Sequence, residues 1–295
     1  MSIFSDSVTD FLEDKGFHCK NETHSGIEVL KVKSADFKVR RSLVLLGISA
    51  YDSIQAAHMS YKWEKLIREL KKHENQSPII ITEDIWNRKR EMSEGRLLAH
   101  LEIFFPIYAR NCEVRKIDKA VAGDFLARTH TYGDASCRHR YGLYLKRHTG
   151  HIAASSDSSG AGTVEPSTLV AVATFSNARK WVKGDRTIRS YEWTRYASLP
   201  GIRVNGGMGK LLKAFIKDIR PDDIMSYADL EWSEGKVYEY LGFILEGNKE
   251  PVDFIIDPST WERRAYREPL PASQPGCRFF RNFGSAKYRL KLIFY

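Results

Sequence analysis

At 295 residues, with 42% apolar, 12% aromatic and 28% charged side chains, the chain can bury substantial cores, falls outside the disordered and fibrous classes, and has the length of two domains. Its net charge of +9 and pI near 9.2 favour a polyanionic partner, nucleic acid or a phosphate-rich cofactor, over a merely solvated basic surface. No apolar run approaches the roughly 18 residues of a membrane span, and the start, MSIFSDSVTDFLEDKGF, is acidic where a secretory signal is basic; a cytoplasmic protein with no membrane partner is expected.

The first stretch predicts a helix in VTDFLEDKGF, strands at IEVLKV and SLVLLGI, and a helix in which Met59, Trp63, Leu66, Ile67 and Leu70 form an apolar face. Lys62, Lys65, Arg68, Lys71 and Lys72 lie between them and give that helix a basic side. PIIIT predicts a strand and EDIWNRKREMSEGRLLAHL one helix, closing a small α/β unit at residue 103. The pattern then begins afresh: a strand in IYARNCEVRKID, the helix KAVAGDFLARTH and a strand in YGLYLK. A Gly/Ser-rich stretch from His148 to Ser167 reads as a loop inside a hairpin whose returning strand is TLVAVATF. RSYEWTRYA and DIMSYADL read as strands, GKVYEYLGF as a short helix before a last strand. The fold class is α/β (α+β), with a second domain over 104–295. Cys19, Cys112, Cys137 and Cys277 form no CxxC pair and read as ordinary thiols, so no metal site or disulfide framework is expected.

Between two of these strands, RVNGGMGKLLKAF places three glycines in four residues directly before an amphipathic helix carrying Leu211, Leu212, Phe215, Ile216 and Ile219 on one face. Glycines there let the backbone approach a ligand, and the helix N-terminus attracts an anion; a tight turn into a buried helix explains the same run.

The strand YEWTRYA, the glycine turn, the next strand and VYEYLGF together resemble the GNAT acyltransferase superfamily. Its cofactor loop reads Arg/Gln-x-x-Gly-x-Gly/Ala, and its next helix carries a tyrosine four residues before Gly-Phe. Gly207 and Gly209 match the loop glycines and Tyr238 the tyrosine; Arg203 stands one place early, with Val204 at the basic position. Over almost the whole chain, ITEDIWNRKREMSEGRLLAHL, IYARNCEVRKI, FLARTHTYG, GGMGKLLKAF, SYADLEWSEGKVYEYLGF and RNFGSAKYRLKL resemble phage-encoded proteins. These join a Vsr-like, PD-(D/E)xK-type homing nuclease domain to a GNAT-like domain related to Mom DNA-modification enzymes.

The resemblance implies a degenerate nuclease-like domain over 1–103 and a transferase domain over 104–295. In the first, Asp36, Asp52, Glu83 and Asp84 are the candidate acids, but SLVLLGIS carries no carboxylate where the nuclease strand needs one; the basic helix face would then serve DNA binding. In the second, an acyl-CoA donor, acetyl-CoA or a relative, would lie on Arg203, Gly206, Gly207, Gly209 and Lys210. Tyr238 would protonate the leaving thiolate, Asp229 or His130 would act as base, and the strand amides near Glu192 to Arg195 would meet the carbonyl. Tyr132, Arg195 and Tyr227 would frame the acceptor, which the Mom-like resemblance makes a nucleobase, adenine by its exocyclic amine, in DNA more than RNA, flipped from the duplex. Whether iron takes part is left open. The basic and aromatic tail CRFFRNFGSAKYRLKLIFY suits base stacking or an ordinary last strand. The rival functions are a non-catalytic nucleic-acid-binding protein, an active homing-type endonuclease, and an acetyltransferase of proteins or small amines.

Overall fold

The computed structural model describes residues 2–24, 26–49, 51, 61–74, 76–146, 151–153, 161–163, 165–266 and 276–293. They form a mixed α/β protein, as expected, in two compact units. One unit holds Met1–Arg90, Ala228–Glu234 and Asn248–Ala286, the other Glu91–Tyr227, Gly235–Gly247 and Lys287–Tyr295, so neither is one continuous stretch.

In the first unit helix α1 (Ile3–Asp14) starts ahead of VTDF because the Ser2 side chain accepts the Ser5 N–H at 3.2 Å, capping an otherwise unsatisfied end. Strands β1 (His18–His24), β2 (Ile27–Lys33) and β3 (Arg40–Leu46) follow in antiparallel order. The polar β1 lies at the sheet edge and carries no apolar alternation, which is why the sequence pattern did not mark it. Helix α2 (Tyr61–Glu74) buries Trp63, Leu66 and Leu70 and exposes Lys65, Arg68, Lys71 and Lys72; Met59, Asp52 and the Lys62 side chain lie outside the described residues. Strand β4 (Ile79–Thr82) pairs parallel to β3; β4 is buried throughout and β3 from Ser42 to Leu46, where the run turns apolar. EDIWNRKREMSEGRLLAHL is not one helix but two, α3 (Glu83–Arg88) and α4 (Arg90–His100), broken at Lys89, whose φ of −129° and ψ of 51° are not helical.

The next stretch gives β5 (Phe105–Tyr108), a single 3₁₀ turn (Ala109–Asn111), β6 (Cys112–Lys116) and α5 (Lys119–Thr129). Asp118 caps α5 by accepting the Val121 N–H at 2.8 Å. Strand β7 (His139–Leu145) follows; in the Gly/Ser-rich segment β8 (His151–Ala153) pairs with β9 (Ala161–Thr163), the rest of that loop lying mostly outside the described residues. Then come β10 (Leu169–Phe175), β11 (Arg179–Lys183), β12 (Arg186–Ser198), β13 (Ile202–Asn205), α6 (Gly207–Ile219), β14 (Asp223–Asp229), α7 (Lys236–Tyr240) and β15 (Ile244–Lys249).

The chain returns to the first unit in a three-stranded sheet of β16 (Asp253–Asp257), β17 (Glu262–Ala265) and β18 (Arg278–Arg281). Phe254, Ile256 and Phe280 join Val29, Val44, Leu46, Trp63 and Ile80 in one core. The last strand, β19 (Ser285–Lys291), completes an eight-stranded sheet ordered β15-β19-β14-β12-β10-β7-β6, with β11 paired to β12. Its core is aromatic: Phe175 stacks on Phe215 at 3.8 Å and on Trp193 at 5.3 Å. Burying each such side chain contributes roughly 1.5–3 kcal/mol.

Candidate functional site

The second unit carries two candidate features. The first is a fork in the sheet: β12 and β14 run parallel and pair only over Ser190–Trp193 and Asp223–Ser226, after which the paired register ends. The register of β12 against β10 jumps between Thr174/Arg195 and Phe175/Trp193, so Thr194 is an extra residue in a bulge. That bulge puts Arg195 on the face opposite Trp193, with Glu192; simple alternation would have set Glu192 and Arg195 on opposite faces. At the fork the buried Ser226 hydroxyl lies 3.0 Å from the Trp193 carbonyl and 2.9 Å from the Tyr238 hydroxyl.

Tyr238 is placed there by its own helix. Gly235, at φ 76°, starts α7, and a Cβ on it would fall 2.4 Å from the Tyr288 ring. Its absence lets Tyr288 stack on Tyr238 at 5.3 Å, while Trp193 and Phe243 meet the same ring edge-on. Burial pushes the Tyr238 phenol above its ordinary value, against the Ser226 hydrogen bond, which pulls it down.

The second feature is a cavity of about 490 Å³ at the glycine turn, lined by Arg203, Gly206, Gly207 and Gly209 together with Arg96, His100, Tyr196 and Tyr240. Gly206 is the N-cap of α6 at φ 76° and offers no side chain to the first-turn amides. Lys210 N–H already bonds Gly206 O, so the Gly207, Met208 and Gly209 amides form the helix's anion-attracting end. The other glycines serve packing: a Cβ on Gly207 would lie 3.0 Å from Val204 and 3.1 Å from the Tyr196 hydroxyl, and one on Gly209 3.2 Å from Leu241. Helix α4 reaches the cavity because Gly95 packs onto Pro200, where a Cβ would fall 2.8 Å away.

The expected site residues divide. Arg203, Gly206, Gly207 and Gly209 share the cavity. Lys210 is turned inward, its ammonium donating to the carbonyls of Ala109 at 2.8 Å and Cys112 at 2.5 Å. Arg195 donates from Nε to the Gly133 carbonyl at 3.0 Å and from Nη1 to the Thr194 carbonyl at 2.9 Å. His130 ends α5, and its Nδ1 accepts the Tyr132 N–H at 3.1 Å, so the ring closes that turn. Asp229 packs with the first unit, where Oδ1 accepts the Glu231 N–H at 3.0 Å in a turn. Tyr227, next to it in β14, is half-buried. Tyr196, Arg96 and His100 were missed; the one available signal was the four-residue spacing of the last two, which sets them on one helix face.

The nuclease-type acids of the first unit have other partners. Asp36 caps an exposed turn, accepting Ser34 Oγ–H at 2.6 Å and the Lys38 N–H at 3.2 Å; these bonds lower its carboxyl to about 2. Glu83 accepts the Ile48 N–H at 2.7 Å and the Ser49 N–H at 3.2 Å. Asp84 is fully buried and paired through both oxygens with Arg263, at 2.7 and 2.9 Å. Among the described residues no group of three or more His, Cys, Asp or Glu could hold a metal ion, and no helix is long and apolar enough to cross a membrane. Of the described tail aromatics, Phe279, Phe280 and Tyr288 are at most 2% exposed; Phe279 and Phe280, adjacent in their strand, are buried on its two opposite faces and so are not presented to bases.

No protein-family model and no curated protein matches the chain. Solved structures similar to it include the histone acetyltransferase HPA2 and related acetyltransferase from Corynebacterium glutamicum, at 13% identity over 53% of this chain and 66% of that one, TM-score 0.28. A conserved Enterococcus faecalis protein named a probable N-acyltransferase matches at 14% identity over 54% and 38%, TM-score 0.32, and the KacTA–DNA complex at 15% over 58% and 92%, TM-score 0.27. The chain spans less than two thirds of the length of the first two, and these are likenesses of fold at a distance.

Proposed function

We propose that the second unit is a GNAT-type, Mom-like transferase that takes an acyl thioester of coenzyme A at the glycine turn and acylates the exocyclic amine of a DNA base, adenine by expectation. The observations that carry the reading are an uncapped helix N-terminus at a cavity and, in the same unit, a half-buried tyrosine whose hydroxyl meets Ser226 at a strand fork. The residues fit the donor. A cavity of about 490 Å³ is of ligand size, its amides suit a pyrophosphate, and Arg96, His100 and Arg203 bring basic groups to the same wall.

The donor supplies an activated acyl group; the chain supplies position and protons. The α6 amides with Arg96 and Arg203 would hold the phosphates. Tyr238 holds a proton on its hydroxyl, since burial keeps the phenol neutral through the physiological range. The single Ser226 proton can serve either the Trp193 carbonyl at 3.0 Å or the phenol oxygen at 2.9 Å; once a departing thiolate takes the phenol's proton, Ser226 can turn its own from the carbonyl to steady the phenolate.

Single-turnover assays with acetyl-CoA and duplex DNA, read by mass spectrometry of nucleosides, test this. Tyr238→Phe keeps the ring stack and is expected to slow product formation by about 10²–10⁴. Because the phenol's pKa is raised, the parental rate should hold until the pH passes the ordinary tyrosine value of about 10 and fall only above it. Parental rates in Tyr238→Phe, or no affinity of the parent for coenzyme A by calorimetry, sink the proposal; a modified peptide with unmodified DNA would move the acceptor to protein.

A further inference from the structure

The segment RKWVKGDRTIR, residues 179–189, carries five cations, Arg179, Lys180, Lys183, Arg186 and Arg189, against the single carboxylate of Asp185. It folds as the hairpin β11/β12, closed by the two-residue turn Gly184-Asp185 with Gly184 at φ 59°, the sign a primed hairpin turn requires at that position. All of β11 is exposed, as are Arg186 and Thr187 opposite it, and β11 pairs with β12 alone. The register sets like charges face to face, Lys180 opposite Arg189 and Lys183 opposite Arg186. Directly opposed cations destabilise a hairpin. Arg189 is relieved by Asp222, whose carboxylate lies 3.5 Å from its Nε. Between the cations stand Trp181, 37% exposed, and Val182, 72% exposed.

We propose that this hairpin is the element by which the second unit grips double-stranded DNA, its cations set on phosphates. Two strands about 4.8 Å apart with their side chains fit a B-DNA major groove about 12 Å wide, whereas the deep, narrow major groove of RNA helices excludes them. The same strand, β12, carries Trp193 at the fork, seven residues or roughly 23 Å from Arg186. A duplex held at the tip therefore lies within one helical turn of the site where a flipped base would be treated. The inference deepens the proposed function by assigning its DNA contact, yet binding can be measured without turnover.

The test is fluorescence anisotropy with a 20-base-pair duplex across a salt series. The parent should bind with affinity that falls steeply with salt. Each phosphate contact contributes about 0.9 to the logarithmic slope, so Arg179→Gln, Lys180→Gln, Lys183→Gln and Arg186→Gln together should lower it by about 3 to 4, with an affinity loss of roughly 100-fold or more. Arg189 is left intact because it also packs on Asp222. If circular dichroism shows the fourfold variant misfolded, Lys183→Gln with Arg186→Gln at the tip should still remove about 2 from the slope. Substituting Lys65, Arg68 and Lys72 of α2 by Gln is the comparison and should change the slope by less than about 1. Overturning results are a parental slope in the hairpin variants, a larger loss from the α2 variant, or a parent that binds phosphatidylserine vesicles but no duplex. Coenzyme A affinity should stay parental in the hairpin variants. Hairpin-dependent DNA binding without coenzyme A binding would sink the transferase and leave this inference standing; the reverse would sink the inference alone.

Discussion

The acidic head of α3 and the glycine turn before α6 are the two places where the chain's motifs point to chemistry on phosphate, and they use their polar groups in opposite ways. At α3 the carboxylates are directed inward: Asp84 is enclosed with Arg263, whose side chain is 4% exposed, and Glu83 caps the amides of residues 48 and 49. At α6 the first-turn amides are left without a side-chain cap and line a cavity. A motif's charge matters less than whether the fold has already satisfied it. A carboxylate held by an arginine at 2.7 Å would have to lose that partner to take a metal, whereas an amide at an open helix end loses nothing in meeting a phosphate.

A cleavage assay gives an all-or-none answer on the first unit's acids. With Mg²⁺ or Mn²⁺ the purified protein should leave duplex DNA uncut, since the candidate acids Asp36, Glu83 and Asp84 are engaged in a turn, a cap and an ion pair. Metal-dependent nicking that disappears on Glu83→Ala or Asp84→Ala would show that these internal bonds open and would restore the endonuclease.

Next in size is the stability of the buried cluster. Arg263 donates to Asp84 and Thr82 and lies 3.5 Å from the buried Glu231. Removing it in Arg263→Ala takes the arginine away from two buried carboxylates, a loss of about 3–5 kcal/mol, readable as a shift in the denaturant midpoint. Replacing Asp84 with Asn as well should recover part of that loss, because a neutral amide is cheaper to leave buried. A midpoint unchanged in Arg263→Ala would mean that water reaches the cluster and the acids are less engaged than the geometry says.

How much of this could be read from the sequence follows from how local each feature is. The central strands SLVLLGI, PIIIT and TLVAVATF and the face of α6 carry their pattern in adjacent residues, and they stand as expected. Phe254, Ile256 and Phe280 meet Val29 and Val44 from more than 200 residues away, a partnership no local pattern carries, so the strands β16–β18 went unmarked. Glu192 and Arg195 share the face opposite Trp193 through the bulge at Thr194, a matter of two-strand register that no local pattern carries. The hairpin at Gly184-Asp185 did carry a turn signal, flanked by Lys183 and Arg186, which ordinary strand alternation around RSYEWTRYA overshadowed. Tyr238 was legible as a motif, but its hydroxyl's place at the fork depends on Gly235 and Tyr288, fifty residues on.

The smallest expected effect separates two cations that the sequence set side by side. Arg203 and Lys210 both flank the glycines, and a basic residue there reads as a phosphate ligand. Lys210 is instead bound to the carbonyls of Ala109 and Cys112, closing the 3₁₀ turn onto α6, while Arg203 stacks over Phe104 at 4.9 Å and lines the cavity. Lys210→Met should therefore cost stability, about 1.5–3 kcal/mol for lost charge-assisted hydrogen bonds, and leave coenzyme A affinity in the folded fraction near parental. Arg203→Gln should do the reverse: a charge at the mouth of a solvent-reached cavity contributes about 1 kcal/mol, so affinity should fall roughly fivefold, more at low salt than at high, with little change in the unfolding midpoint. Titration calorimetry and denaturant melts on the two variants read both quantities. If Lys210→Met loses affinity while Arg203→Gln keeps it, the donor's phosphates lie on the turn side of α6 rather than in the cavity, and the comparison between spent and available groups fails at the site it was meant to explain.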